Sequence, residues 1–255
     1  MNAGLYVYGI LRDSSLPEEF AFAGVGDPPG EVTPVRAAGL AAAVSPAPED
    51  LRPRRRDLVA HQKVLEALIA LGPVLPLRFG VVAEGEGSVA EELERSRERY
   101  ENLLSEVEGR VEVNVKAFHD EDRALRVVLE RDERLRDTNR RLREADGGSI
   151  PERMDFGEAV VNAVEELAAA DAEAIVRALS GVTDRLVLGS SAAVAGCLVN
   201  VSLLVDQEGV KEVERVTGLL DRELAHVSLG VNGPLPPYSF VTGPDEPDPA
   251  TGDPM

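Results

Sequence analysis

A chain of 255 residues with 44% apolar side chains can bury a substantial core, as one large domain or two medium ones. Its formal charge of −19 disfavours nucleic acid and anionic lipid, which both need a positive field, and favours partners with basic or hydrophobic surfaces. Aromatics are only 4% and Trp is absent, so Ala, Val and Leu build the interior. The single cysteine, Cys197 in the apolar run Val194 to Val205, excludes an intrachain disulfide and reads as a buried, inert thiol of a reducing cytosol.

Met1 to Leu11 has no basic segment followed by a long apolar one, so no secretory signal is expected. No stretch approaches the ~18 uninterrupted apolar residues of a membrane span. Leu5 to Leu11, short, apolar and aromatic, predicts a buried strand. The Pro- and Gly-rich stretch from Leu16 to Pro34 reads as a long loop, and Gly39 to Val44 as a second strand. Asp57 to Leu71 places Leu58, His61, Leu65 and Leu68 on one face of a helix that Gly72 and Pro73 end. Val74 to Val82 predicts a strand, with Pro76 implying an edge or a bulge. From the N-cap Ser88, the stripe Val89, Leu93, Ser96, Tyr100, Leu103 and Val107 predicts one helix ending at Gly109.

Val111, Val113, Val115 and Ala117 alternate with Glu112, Asn114, Lys116 and Phe118, a half-buried strand. Asp120 to Glu144 predicts one long charged helix with a sparse seam at Leu125, Val128, Leu135 and Leu142, broken by Gly147, Gly148 and Pro151. So narrow a seam suits an exposed arm or a partner-binding hairpin with the helix after Pro151, or else a solvated helix with one side resting on the sheet. Asp155 to Leu179 reads as helix, Asp184 to Leu188 and Gly196 to Val205 as strands, Gly209 to Leu224 as helix and Val227 to Val231 as strand. Merging neighbouring helices gives β-α-β-β-α-β, the ferredoxin-like order. The fold class is therefore α+β in two domains: an N-terminal α+β domain over residues 1–109 and a C-terminal ferredoxin-like domain over 110–243. The second carries a helical insertion at 120–180, and 244–255 forms a disordered acidic tail.

Chemistry-bearing residues are scattered. His61, His119 and His226 are far apart and none has metal-ligand spacing, so each reads as a core or interface histidine. Asp120, Glu121 and Asp122 beside His119 could hold a cation or simply complement a helix N-terminus. Gly24-Val25-Gly26 and Gly85-Glu86-Gly87 lack the rest of a nucleotide-binding fingerprint, and Gly189-Ser190-Ser191 is not a nucleophile elbow. Arg52, Arg54, Arg55 and Arg56 either grip an acidic partner or phosphate or pair with the chain's own carboxylates. Arg78, between Leu77 and Phe79, predicts a buried salt link. No catalytic, cofactor or metal constellation emerges.

Two stiff apolar blocks remain, Pro73-Val74-Leu75-Pro76-Leu77-Arg78-Phe79-Gly80 and Gly233-Pro234-Leu235-Pro236-Pro237-Tyr238-Ser239-Phe240. The three prolines of the second fix φ and remove donors, so it is expected neither to extend the preceding strand nor to start a helix. Apolar blocks without a nucleophile or base point to recognition, with Leu77, Phe79, Tyr238 and Phe240 as candidate partner contacts or plain packing residues.

With Tyr6-Val7-Tyr8-Gly9-Ile10 and Val111-Glu112-Val113-Asn114-Val115-Lys116, these blocks, in this order from Leu5 to Phe240, resemble the GvpF/GvpL family of gas vesicle proteins. Family members often carry an aromatic where Asn114 and Leu235 stand, and the charged region from Asp120 to Pro151 matches least. The resemblance implies a non-enzymatic protein without cofactor or metal. It implies an accessory or minor structural component that binds the small hydrophobic shell protein, limits its aggregation during nucleation, and meets other accessory proteins. It places the chain at the gas vesicle, and in the cytoplasm before assembly. The competing reading, from the ferredoxin-like order alone, is a small-ligand-binding or regulatory module.

Overall fold

The computed structural model describes residues 4–17, 20–145, 147–190 and 196–241. The first strand, β1 (Leu5–Arg12), is buried on both faces, as its unbroken apolar run requires. After it come β2 (Phe22–Ala23), β3 (Glu31–Ala37), β4 (Leu40–Pro46), the helix α1 (Arg55–Ile69), β5 (Val74–Pro76) and β6 (Val82–Ala83). The six strands form one sheet of order β2-β3-β4-β1-β5, with β6 pairing further along β1. The β1–β4 register slips by one residue at Tyr8, a bulge that leaves this side chain to the core.

Two expectations change here. The stretch read as one loop up to Pro34 contains β2 and the start of β3, with Val32 and Val35 turned inward. Pro34 lies beyond the two residues that β2 pairs, where the outer side of β3 lacks a partner strand and proline is tolerated. The predicted strand Val74 to Val82 is two short strands, and β5 does occupy the sheet edge.

The turn after β2 holds Tyr8 in place. Gly24 donates its N–H to the Gly30 carbonyl at 2.7 Å, and Val25 donates to the Tyr8 hydroxyl at 2.8 Å. A Cβ on Gly24 would lie 2.2 Å from that hydroxyl and 3.0 Å from the Gly30 oxygen. Gly24→Ala therefore displaces Tyr8 from Val25 and from Ser45, to which its hydroxyl bonds at 2.9 Å. The expected loss is about 1–3 kcal/mol, measured as a lower urea midpoint.

The single helix predicted after Ser88 is two: α2 (Glu86–Arg95) and α3 (Arg97–Val107), separated at Ser96, whose ψ of 15° leaves the helical range. The break shifts the stripe, so Leu104 rather than Leu103 is buried with Val107.

Next come β7 (Val111–His119), α4 (Glu121–Arg131), α5 (Glu133–Glu144), α6 (Ile150–Ser180), β8 (Leu186–Leu188), β9 (Cys197–Val205), α7 (Gln207–Glu223), β10 (Val227–Leu235) and α8 (Tyr238–Val241). Their sheet runs β10-β7-β9-β8, fourth strand beside first and third beside second, which is the ferredoxin-like arrangement. The long charged helix splits at Asp132, whose carboxylate accepts from Arg134 N–H at 2.8 Å and Leu135 N–H at 3.2 Å and so begins α5. Neither half is an arm. Ala124, Val128 and Leu135 are buried against Leu167, with Phe156 and Val160 of α6 packed alongside. Pro151 does not delimit α6 but sits in its first turn, where its missing N–H costs nothing, behind a capping box of Ser149 and Glu152.

The C-terminal block also departs from expectation. β10 continues through Pro234 to Leu235, because an edge strand need not donate from every residue. Helix α8 then starts directly after Pro237, since a helix start leaves its first N–H groups unpaired anyway. Among the described residues, the chain forms two compact units: those up to Glu112 together with those from Pro234 onward, and Val113–Gly233. The residues after 233 thus cluster with the first unit, whereas the sequence reading groups them with the second. The expected acidic tail lies outside the described residues. No helix among the described residues is long and apolar enough to cross a membrane.

Candidate functional site

Both proline-bearing blocks turn inward and meet at His61. Leu77 donates its N–H to the Tyr8 carbonyl at 2.9 Å and Val7 donates to Val81 at 3.0 Å, so the residues between leave the β1 edge as a loop. Gly80 closes that loop at φ 102°, a conformation glycine adopts freely. The loop brings Phe79 to 5.7 Å from the Tyr6 ring and 5.9 Å from His61. His61 comes from the α1 face that also buries Val64, Leu65 and Leu68.

The Tyr6 hydroxyl shares a hydrogen bond of 2.8 Å with His61 Nδ1 and accepts from Gly80 N–H at 3.3 Å. The Tyr238 hydroxyl lies 3.5 Å from His61 Nε2. Burial lowers the imidazole pKa from 6.5 to about 4, against an opposing hydrogen bond to the Leu77 backbone. The same burial raises the Tyr6 hydroxyl and pushes Tyr238 up to about 12. This site is a neutral, hydrogen-bonded latch.

Of the four candidate contacts, Leu77, Phe79 and Tyr238 are half-buried and Phe240 is 4% exposed. Phe79 and Tyr238 pack on the core made by Tyr6, Tyr8, Leu65 and Leu68. Phe240 has almost no surface to offer a partner, and packing accounts for it. Arg78 is half-buried rather than buried. Glu112, expected on the outer face of its strand, is 5% exposed, and its carboxylate accepts from Ser239 N–H at 2.8 Å and Ser239 Oγ at 2.7 Å.

The most exposed large apolar side chains among the described residues, Met154, Ile150, Leu188 and Val161, lie on the second unit. Strand β8 is a sheet edge, and Leu188 on it is 63% exposed. Leu188 borders an apolar groove with Ala172 and Val176 of α6 and Leu198 and Val199 of β9. Asn200 frames its rim, accepting from Asn114 Nδ2 at 3.0 Å and donating to the Ser190 carbonyl at 3.2 Å. Ile150, Met154 and Val161, at four- and seven-residue steps along α6, are 65%, 69% and 55% exposed and form a stripe. Hydrophobic periodicity alone could not mark these residues, because it does not say which apolar face stays uncovered.

Sequence spacing also missed one polar cluster. His119 at the end of β7 and His226 before β10 both direct Nε2 at Asp171 Oδ2, at 2.9 and 2.7 Å. Their own elements are neighbours in the sheet, and Asp171 stands among the buried residues of α6. Asp120 caps α4, accepting from Arg123 N–H at 3.0 Å. The basic cluster pairs internally: Arg52 and Arg54 with Asp50, and Arg56 with Asp27 and Asp57. Cys197 is half-buried rather than buried, its Sγ donating to the Val199 carbonyl at 3.3 Å.

Comparison with known proteins puts these features in a family context. The family described as gas vesicle synthesis protein GvpL/GvpF matches residues 4–242. Gas vesicle protein F of Streptomyces sp. (strain CB03234) is 42% identical over 238 residues, covering 92% of this chain and 98% of that protein. The crystal structure of GvpF from Microcystis aeruginosa superposes with a TM-score of 0.71 at 23% identity, covering 94% of this chain and 99% of that one. That of GvpF from Anabaena sp. PCC7120 gives 0.74 at 24% identity, over 94% and 98%. Both share the fold.

Proposed function

The chain belongs to the GvpL/GvpF family of gas vesicle synthesis proteins, and from that premise we propose that it is a non-catalytic assembly component. In this reading it binds the small hydrophobic shell protein and limits its aggregation while a vesicle nucleates, alongside other accessory proteins. It works in the cytoplasm before assembly and then at the vesicle, without contacting nucleic acid or lipid. The observation that carries the reading is the groove beside Leu188, an uncovered apolar surface at a sheet edge in a chain of charge −19. A client that coats a gas space is strongly apolar and precipitates by itself. An acidic carrier with an open groove covers part of that surface and keeps the pair in solution by charge. Edge-strand pairing on β8 and helix docking in the groove are the two modes this surface permits.

Co-expression with the shell protein tests it. The expected result is a soluble complex and less precipitated shell protein. Leu188→Asp should weaken that complex by roughly 10–100-fold, the worth of one buried leucine, with the fold intact because this side chain is exposed. A shell protein that stays equally insoluble and unbound ends the reading.

A further inference from the structure

We propose that His119, Asp171 and His226 form a binding site for a divalent transition metal, of which zinc is the type. Three ligand atoms, His119 Nε2, His226 Nε2 and a carboxylate oxygen of Asp171, lie within 4.8 Å of one another. The side chains are 8%, 5% and 6% exposed. A carboxylate on the apolar stripe Leu167, Asp171, Ile175 and Leu179 is costly to bury and has no role in packing. Both imidazoles present Nε2 to the same carboxylate oxygen, so three donor atoms converge on one point, as metal ligation demands. Ligand separations of 2.7 and 2.9 Å need to open by only about half an ångström to admit a zinc ion bonded at ~2.0–2.2 Å.

The donor set decides the metal class. Two imidazoles and one carboxylate suit zinc, cobalt or nickel, and not calcium or magnesium, which take oxygen ligands. His226 also lines an open surface hollow whose wall carries Glu130 and Glu223 together with Arg123, Arg126 and Arg131. The three ligands come from the end of β7, from α6 and from the residue just before β10, so a bound ion would tie the long helix to the ends of two neighbouring strands.

The full chain, purified without a histidine tag and stripped with a chelator, is dialysed against Zn2+ and titrated with Co2+. Expected are retention of a single zinc ion per chain, a higher melting temperature with zinc, and the visible absorption of four-coordinate Co2+. Asp171→Asn and His226→Gln should each lower zinc affinity at least ~10–100-fold. Should the variants fail to fold, X-ray absorption of zinc on the wild-type chain decides. Two imidazole ligands and no sulfur support the site. No uptake by the wild-type chain, unchanged uptake by folded variants, or a ligand set containing the Cys197 sulfur overturns it.

Discussion

Acidifying this protein from pH 6.5 to pH 4 should cost its first unit roughly 3 kcal/mol of stability, nearly all of it through His61. Burial lowers the folded-state pKa of the imidazole from 6.5 to about 4. Between those values the unfolded chain binds a proton that the folded chain refuses, so stability falls as pH falls. The contribution is complete above pH 6.5 and has gone once pH drops below the folded value. The carboxylate of Asp57, held below its ordinary 3.8 first by the Gly26 N–H and then by Arg56, adds a separate loss. That loss sets in near the unfolded carboxyl value and so joins the His61 step only at its acid end.

The chain provides its own probe. Its four tyrosines, Tyr6, Tyr8, Tyr100 and Tyr238, all belong to the first unit and no tryptophan masks them. Urea unfolding followed by tyrosine fluorescence from pH 8 to pH 3.5 should show the midpoint falling below pH 6.5. His61→Gln keeps hydrogen-bonding capacity without titrating in this range, and should flatten the curve down to pH 4. A wild-type midpoint unchanged between pH 6.5 and pH 4.5 would contradict the buried, neutral imidazole.

How much of this was legible beforehand differs by residue. The apolar face around His61, the edge position implied by Pro76, the ferredoxin-like strand order and the family likeness all follow from local pattern. What pattern misses is pairing across long separations. His119, Asp171 and His226 lie 52 and 55 residues from their partners, and no spacing rule reaches that far. Proline misled in three places for one reason: it forbids a donated hydrogen bond, and Pro34, Pro151 and Pro234 stand where none is required. The candidate contacts rest on the same kind of local signal. Apolar residues in stiff segments mark a surface that something must cover, and for Phe79 and Tyr238 that something is the protein's own Tyr6 and His61.

Glu112→Ala should destabilise the first unit by about 2–4 kcal/mol, because it strips a buried charged acceptor from both donors of the half-buried Ser239. Glu112→Gln, which keeps an acceptor of similar size, should cost about half as much, and Ser239→Ala, which removes only the hydroxyl, about 1 kcal/mol. This ordering separates a polar anchor from plain apolar docking: were α8 held by Phe240 alone, all three substitutions would stay under about 1 kcal/mol. The anchor also sets the acid response. Glu112 fixes Ser239, and Ser239 places Tyr238 over His61. Releasing the segment admits water to the imidazole, whose pKa then returns toward 6.5. In Glu112→Ala the drop in urea midpoint on acidification to pH 4 should therefore shrink along with the overall stability. A variant that loses stability but keeps the full acid step would show that His61 is buried without help from the C-terminal segment.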